Sequence, residues 1–98
     1  MNAEDREALR LLKQALREDC MTRAVPGSWK DFDLGDGIRG YMYENRESGN
    51  LDIAFDLEDP TNPPPDFESR AEQFIARAQA RFRLHQRTGG RRGRRGRR

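Results

Sequence analysis

The sequence predicts an α+β domain, a two-layer sandwich with the element order α-β-β-β-α. Three observations support this. Apolar residues recur every three or four positions near the two ends of the chain, they alternate at every second position in the middle, and only short turns separate the middle segments. Short connections favour an antiparallel three-stranded meander, and the simplest packing places both helices on one face of the sheet.

Residues 2–24 are predicted to form the first helix. Asn2 is the expected N-cap, because Asp5 follows three residues later and acidic residues favour the first turn. The apolar stripe of this helix is predicted to face the core, and the turn Val25-Pro26-Gly27 ends the helix. That stripe consists of Leu9, Leu12, Leu16 and Cys20.

The three strands are predicted at residues 28–34, 38–44 and 51–58. The third has the clearest pattern, because Leu51, Ile53, Phe55 and Leu57 alternate with mostly acidic residues. Gly35-Asp36-Gly37 is the turn between the first two strands, and the loop of residues 45–50 joins the second to the third.

A proline-rich connector at residues 59–65 leads to the second helix. Asp66 is expected to cap that helix, which is predicted to run to about Arg87 and to end at Thr88-Gly89-Gly90. The predicted organisation is one domain over residues 1–88, followed by a disordered arginine-rich tail at residues 89–98.

Composition excludes several classes of protein. No apolar run among the 98 residues approaches the ~18 that a membrane-spanning helix needs, so no membrane partner is expected. The charged first twenty residues do not resemble a signal peptide, and the single cysteine cannot form an internal disulfide. The sequence therefore predicts a cytoplasmic protein.

Charge is divided unevenly along the chain. Residues 1–72 contain nine basic and 17 acidic residues, a net charge of −8, whereas residues 73–98 contain ten arginines and no acidic residue, a net charge of +10. A basic segment of this kind favours binding to a polyanion. Arginine also provides a planar fork for phosphate contacts.

The first functional hypothesis is a small non-enzymatic accessory or adaptor protein whose tail contacts nucleic acid. The repeated Arg-Arg-Gly units hold no side chain in a fixed position against the edge of a base. Binding to RNA or DNA without sequence specificity is therefore expected. The predicted nucleic-acid-binding residues are Arg83, Arg87, Arg91, Arg92, Arg94, Arg95, Arg97 and Arg98.

The alternative is a protein-interaction module, such as an inhibitor, an antitoxin-like partner or a chaperone. It would act through an acidic outer face of the sheet or through the broad leucine stripe of the first helix, which consists of Leu9, Leu11, Leu12 and Leu16. Because Leu11 lies off the centre of that stripe, a helix of another subunit could cover it, which also admits a homodimer. The residues predicted for that face are Trp29, Arg39, Tyr41, Tyr43, Asp52 and Asp56, although the two tyrosines could instead line the core. In a third arrangement the acidic body masks the tail until a partner displaces it.

The sequence motifs that could indicate metal binding or catalysis do not match their known patterns. The acidic run at residues 31–37 fails the EF-hand pattern, and one histidine with one cysteine cannot form a zinc set. The sequence therefore predicts neither enzymatic activity nor a bound metal or cofactor.

The predicted element order is similar to that of double-stranded RNA-binding domains. Their second helix begins with basic residues, however, where this chain has Asp66 and Glu68, so none of their binding residues is transferred.

Overall fold

The computed structural model describes the backbone of residues 2–95 and the side chains of residues 2–86. It confirms two helices and a three-stranded antiparallel sheet in the order α-β-β-β-α. The elements are α1 (Ala3–Arg23), β1 (Lys30–Gly35), β2 (Ile38–Glu44), β3 (Leu51–Leu57) and α2 (Phe67–Arg95).

The chain divides into two compact units, Met1–Thr61 and Asn62–Arg98, which are described separately. The first unit holds α1 and the sheet, and the second holds α2. The predicted grouping of residues 1–88 into one domain stays a prediction.

Both ends of α1 are fixed by hydrogen bonds. The Asn2 side chain accepts a hydrogen bond from the Asp5 backbone N–H at 2.8 Å, which confirms the predicted N-cap. At the other end, the Val25 N–H donates to the Glu44 carbonyl at 2.8 Å and the Arg46 N–H donates to the Arg23 carbonyl at 2.9 Å. These two bonds attach the end of α1 to the end of β2.

The sheet has the predicted strand order, with β2 between β1 and β3. Between β1 and β2, residues 35–37 have φ angles of 84°, 55° and 77°, a left-handed path that favours glycine at the two outer positions. The register places Tyr41 opposite Asp31 on one side and opposite Ala54 on the other.

Alternation along the strands gives the sheet two different faces. One is the apolar face, where Ile38 is fully buried and the Phe32 and Phe55 rings meet edge to face at 5.5 Å between centroids. The other is the acidic-aromatic face, which the register assembles from alternate residues of all three strands. Its members are Asp31, Asp33, Arg39, Tyr41, Tyr43, Asp52, Ala54 and Asp56.

The α1 helix packs against the acidic-aromatic face, and not through the centre of its predicted leucine stripe. The half-buried residues of α1 are Leu9, Lys13, Arg17, Cys20 and Arg23, whereas Leu12 and Leu16 are exposed. The contacts of α1 with this face come from its basic flank: Lys13 and Arg17 pair with carboxylates of the sheet, and Arg17 also lies over aromatic rings. Placement of both helices on one face of the sheet is not confirmed and stays a prediction.

In the second unit, α2 begins at Phe67, directly after Asp66, as predicted. The helix extends beyond its predicted end at about Arg87 and reaches Arg95. Each glycine within a helix costs about 1 kcal/mol, but arginine is a good helix former and no proline follows Pro65, so Gly89 and Gly90 do not stop it. Gly96–Arg98 of the predicted disordered tail lie outside the described residues. Within residues 2–95, neither helix has the length and apolar character needed to cross a membrane.

Candidate functional site

The acidic-aromatic face brings together the residues that the sequence singled out for protein binding. Trp29, just before β1, stacks on both tyrosines of β2, with ring centroids 4.7 Å from Tyr41 and 5.3 Å from Tyr43. Asp52 and Asp56 share this face on β3, and Arg39 shares it on β2. The predicted grouping of these side chains is therefore correct.

Of the two positions that the sequence left open for the tyrosines, the outer surface or the core, the structure shows the core. Tyr41 is 6% exposed and Tyr43 is 2% exposed, so both belong to the core of the first unit. They are buried because α1 lies over this face. Buried rings cannot form a binding surface in the folded chain. A protein-binding role for Trp29, Arg39, Asp52 and Asp56 stays a prediction.

Lys13 is the first of two basic residues that join α1 to the sheet. Its ammonium nitrogen lies 2.8 Å from Asp56 Oδ1 and donates a hydrogen bond of 2.5 Å to the Leu57 carbonyl. Asp56 Oδ1 is buried and accepts no aligned hydrogen bond from the described residues, so its attraction to Lys13 is ionic. Lys13 therefore supplies the positive charge that makes burial of this carboxylate tolerable.

Arg17 makes the second connection, through both charge and stacking. Its guanidinium group is bidentate on Asp31, with Nη1–Oδ1 at 2.8 Å and Nη2–Oδ2 at 3.1 Å. The hydrogen bond from Arg17 holds the pKa of Asp31 below its usual value. The Arg17 Cζ atom also lies 5.1 Å from the centroid of the Trp29 ring and 5.3 Å from that of Tyr41, within range for a cation–π contact.

The phenol groups of Tyr41 and Tyr43 both have raised pKa values. Burial raises the pKa of Tyr43 to about 12, and a hydrogen bond with Cys20 adds to this effect, whereas a hydrogen bond with Arg23 opposes it. Burial also raises the pKa of Tyr41. Cys20 is a half-buried core residue beside these phenols, as its place on α1 predicted.

The opposite side of α1 carries an exposed apolar surface, which we call the leucine face. Leu11, Leu12 and Leu16 are 51%, 57% and 53% exposed, and the small residues Ala8 and Ala15 lie between them on the helix. The charged residues beside this face, at both ends of the helix, are mainly acidic: Glu4, Asp5, Glu18 and Asp19. Lys13 and Arg17, four residues apart, lie instead on the side of α1 that meets the sheet, a signal that sequence analysis could have used to orient the helix.

The predicted nucleic-acid-binding residues occupy the end of α2 and the segment beyond it. Arg83 is exposed, and so are Arg77 and Arg81, which precede the predicted residues on the same helix. Positions 87, 91, 92, 94 and 95 continue the same helix, although their side chains lie outside the described ones, and Arg97 and Arg98 lie outside the described residues altogether. The basic segment therefore has a helical backbone over most of its length.

Neither the grouping of metal-binding side chains nor similarity to known proteins identifies a function. In the part of the chain that the structure describes, no three histidine, cysteine or acidic side chains are grouped so that they could hold a metal ion. Comparison of the chain with protein-family models, with curated proteins and with solved structures finds no match.

Proposed function

We propose that this protein is a small, non-enzymatic, cytoplasmic accessory protein that binds nucleic acid through the basic segment of residues 77–98. The observation that carries the proposal is the concentration of ten arginines, with no acidic residue after Glu72, on one helix and its extension. A cationic helix end can lie along a phosphate backbone and release the counterions bound there.

Two carboxylates of the acidic-aromatic face already have basic partners within the first unit. Asp31 is paired with Arg17, and Asp56 is paired with Lys13. A basic segment that bound these two carboxylates would have to displace both ion pairs, which supports nucleic acid as the partner of the arginines. Masking of the arginines by the other carboxylates stays a prediction.

Affinity for RNA or duplex DNA should depend strongly on salt and weakly on base sequence. If the six arginines of residues 91–98 each neutralised one phosphate, the slope of log K against log salt would be about −4 to −5. A helix that presents only some of them to the phosphates would give a shallower slope. Contacts to phosphate alone carry no base readout.

The test compares full-length wild type with a variant in which the six arginines of residues 91–98 are replaced by glutamine. Fluorescence anisotropy with labelled RNA and duplex DNA over a salt series should show a large loss of affinity and a shallow slope for this variant. The control replaces Arg39 and Arg46, two exposed arginines of the first unit, with glutamine and should bind like wild type. Equal affinity of the wild type and the six-glutamine variant would contradict the proposal.

A second candidate function, a protein-interaction module, is favoured by the leucine face. Three leucines exposed by more than half on one side of a helix form an apolar patch of the kind that protein interfaces use. The two functions are compatible, because the leucine face belongs to the first unit and the basic segment to the second.

A further inference from the structure

The arginines of α2 form two rows along one continuous helix. At about 3.6 residues per turn, successive positions are about 100° apart around the helix axis. The first row lies within about 60° and consists of positions 77, 81, 92 and 95. The second row lies about 125° from the first and consists of positions 83, 87 and 94, with position 91 between the two rows. All eight arginines of residues 77–95 are therefore placed on one half of the helix.

The other half of the helix carries apolar residues and then glycines. Ile75 and Phe82 are half-buried on that side. Gly89 and Gly93 follow Phe82 by seven and eleven residues, so their positions fall on the same side. The Arg-Arg-Gly spacing is thus in phase with the apolar side of the helix that precedes it. This phase has a purpose only if the segment is helical when it acts.

Two arginine rows on one helix match the geometry of a major groove. An α-helix with its side chains is about 10–12 Å across, and the major groove of B-DNA is about 12 Å wide. A helix in that groove has a phosphate backbone on either side of it. Residues 77–95 span about 27 Å, which is shorter than one turn of DNA at about 34 Å.

We propose that residues 77–95 bind duplex DNA as one continuous helix in the major groove, with one row of arginines against the phosphates of each strand. This inference rests on the proposed binding of nucleic acid and names the class of nucleic acid that is bound. The helical backbone would hold the arginines in place before binding, so fewer degrees of freedom are lost when the complex forms.

Other nucleic acids fit less well. Single strands are held largely by stacking of their bases on aromatic side chains. Among the side chains that the structure describes, every phenylalanine, tyrosine and tryptophan is buried or half-buried. Double-stranded RNA has a deep and narrow major groove that side chains cannot read. Duplex DNA therefore suits this helix best.

Three ligands of the same base sequence test the choice of nucleic acid. Full-length wild type is titrated with labelled duplex DNA, single-stranded DNA and double-stranded RNA, each about 20 nucleotides long, at about 0.15 M salt. Affinity for duplex DNA should exceed affinity for the other two by about tenfold or more. Equal affinities would overturn this inference and leave the proposed function standing, whereas no binding to any ligand would overturn both.

A second experiment breaks the helix without changing its charge. Thr88→Pro removes a backbone N–H and interrupts α2 in the middle of the first arginine row. It should weaken binding to duplex DNA about tenfold, because the two parts of each row lose their common axis. Thr88→Ala is the matched control, which keeps the helix and should bind at least as tightly as wild type. Circular dichroism should show a loss of helix only in the proline variant, and equal duplex affinities of the two variants would overturn the continuous helix.

Replacement of arginines row by row tests the placement in the groove. One variant carries Arg81→Gln and Arg92→Gln, from the first row. The other carries Arg83→Gln and Arg94→Gln, from the second row. Each should weaken binding to duplex DNA and reduce the salt slope by about 2, because each loses two phosphate contacts. A loss confined to one variant would show a helix that lies along a single strand, which overturns the groove placement.

Discussion

At the scale of single residues, Gly40 shows the closest packing. It lies near the centre of β2, between Phe32 of β1 and Phe55 of β3. A Cβ atom at this position would lie 2.5 Å from Phe32 Cζ and would also overlap the carbonyl oxygen of Ala54. The Phe32 ring therefore occupies the space that the Cβ atom of any other residue at position 40 would need.

Replacement of this glycine should destabilise the fold. Gly40→Ala is expected to lower the free energy of unfolding by about 2 kcal/mol or more, because the ring and a strand backbone must both shift. The measurement is chemical denaturation followed by circular dichroism. Arg39→Ala, at the exposed neighbouring position, is the control and should have a small effect. Comparable losses for the two variants would mean that the Phe32 ring does not constrain the site.

The two tyrosines give a prediction about alkaline pH. The chain has only these two, and burial raises the pKa of both, that of Tyr43 to about 12. An unfolded tyrosine titrates near its ordinary pKa of about 10. Because the folded pKa is raised, the stabilisation is fully present below about pH 10 and is lost as the pH rises towards 12.

Tyrosinate absorbance measures this directly. The folded protein should show little phenolate at pH 10, whereas the protein in guanidinium should be about half ionised there. Tyr43→Phe should leave a single transition, from Tyr41. If the folded and unfolded titrations coincided, the two rings would have to be accessible to solvent.

At the scale of elements, the orientation of α1 depends on its basic residues. Arg17 contributes a bidentate ion pair to Asp31 and lies over two aromatic rings, and Lys13 reaches Asp56 and the edge of β3. These contacts turn the helix so that Leu12 and Leu16 face solvent. A helix that packed by hydrophobic burial alone would present the leucines to the sheet.

Removal of the Arg17 side chain should test this orientation. Arg17→Ala is expected to lower the free energy of unfolding by roughly 1–2 kcal/mol, since a partly exposed ion pair is screened by solvent and the cation–π contact adds a similar amount. Fluorescence of Trp29, the only tryptophan, reports the local change. Arg10→Ala is the control, because Arg10 makes an exposed ion pair with Glu7 on the same helix. A variant as stable as this control would indicate that Arg17 does not hold α1 in place.

At the scale of the whole molecule, charge is used in two ways. Within the first unit, Lys13 and Arg17 neutralise carboxylates of the sheet face at short range. In the second unit, arginines accumulate without acidic neighbours after Glu72.

The sequence by itself determined the elements and their order. Helical and strand periods, the Asn2 cap and the glycine turn at residues 35–37 are local signals, and the structure bears them out. The uneven division of charge is also a property of the sequence alone. The end of α2 was predicted too early, because two glycines weaken a helix without necessarily ending it.

Only the tertiary structure decided which side of α1 meets the sheet. The stripe of Leu9, Leu12, Leu16 and Cys20 correctly predicts a helix. A pattern within one helix, however, carries no information about the carboxylates that β1 and β3 bring to one face of the sheet. Those carboxylates come together only when the strands pair, and they then bind Lys13 and Arg17, while Leu12 and Leu16 remain exposed. The same long-range pairing buried Tyr41 and Tyr43 and left the leucine face exposed.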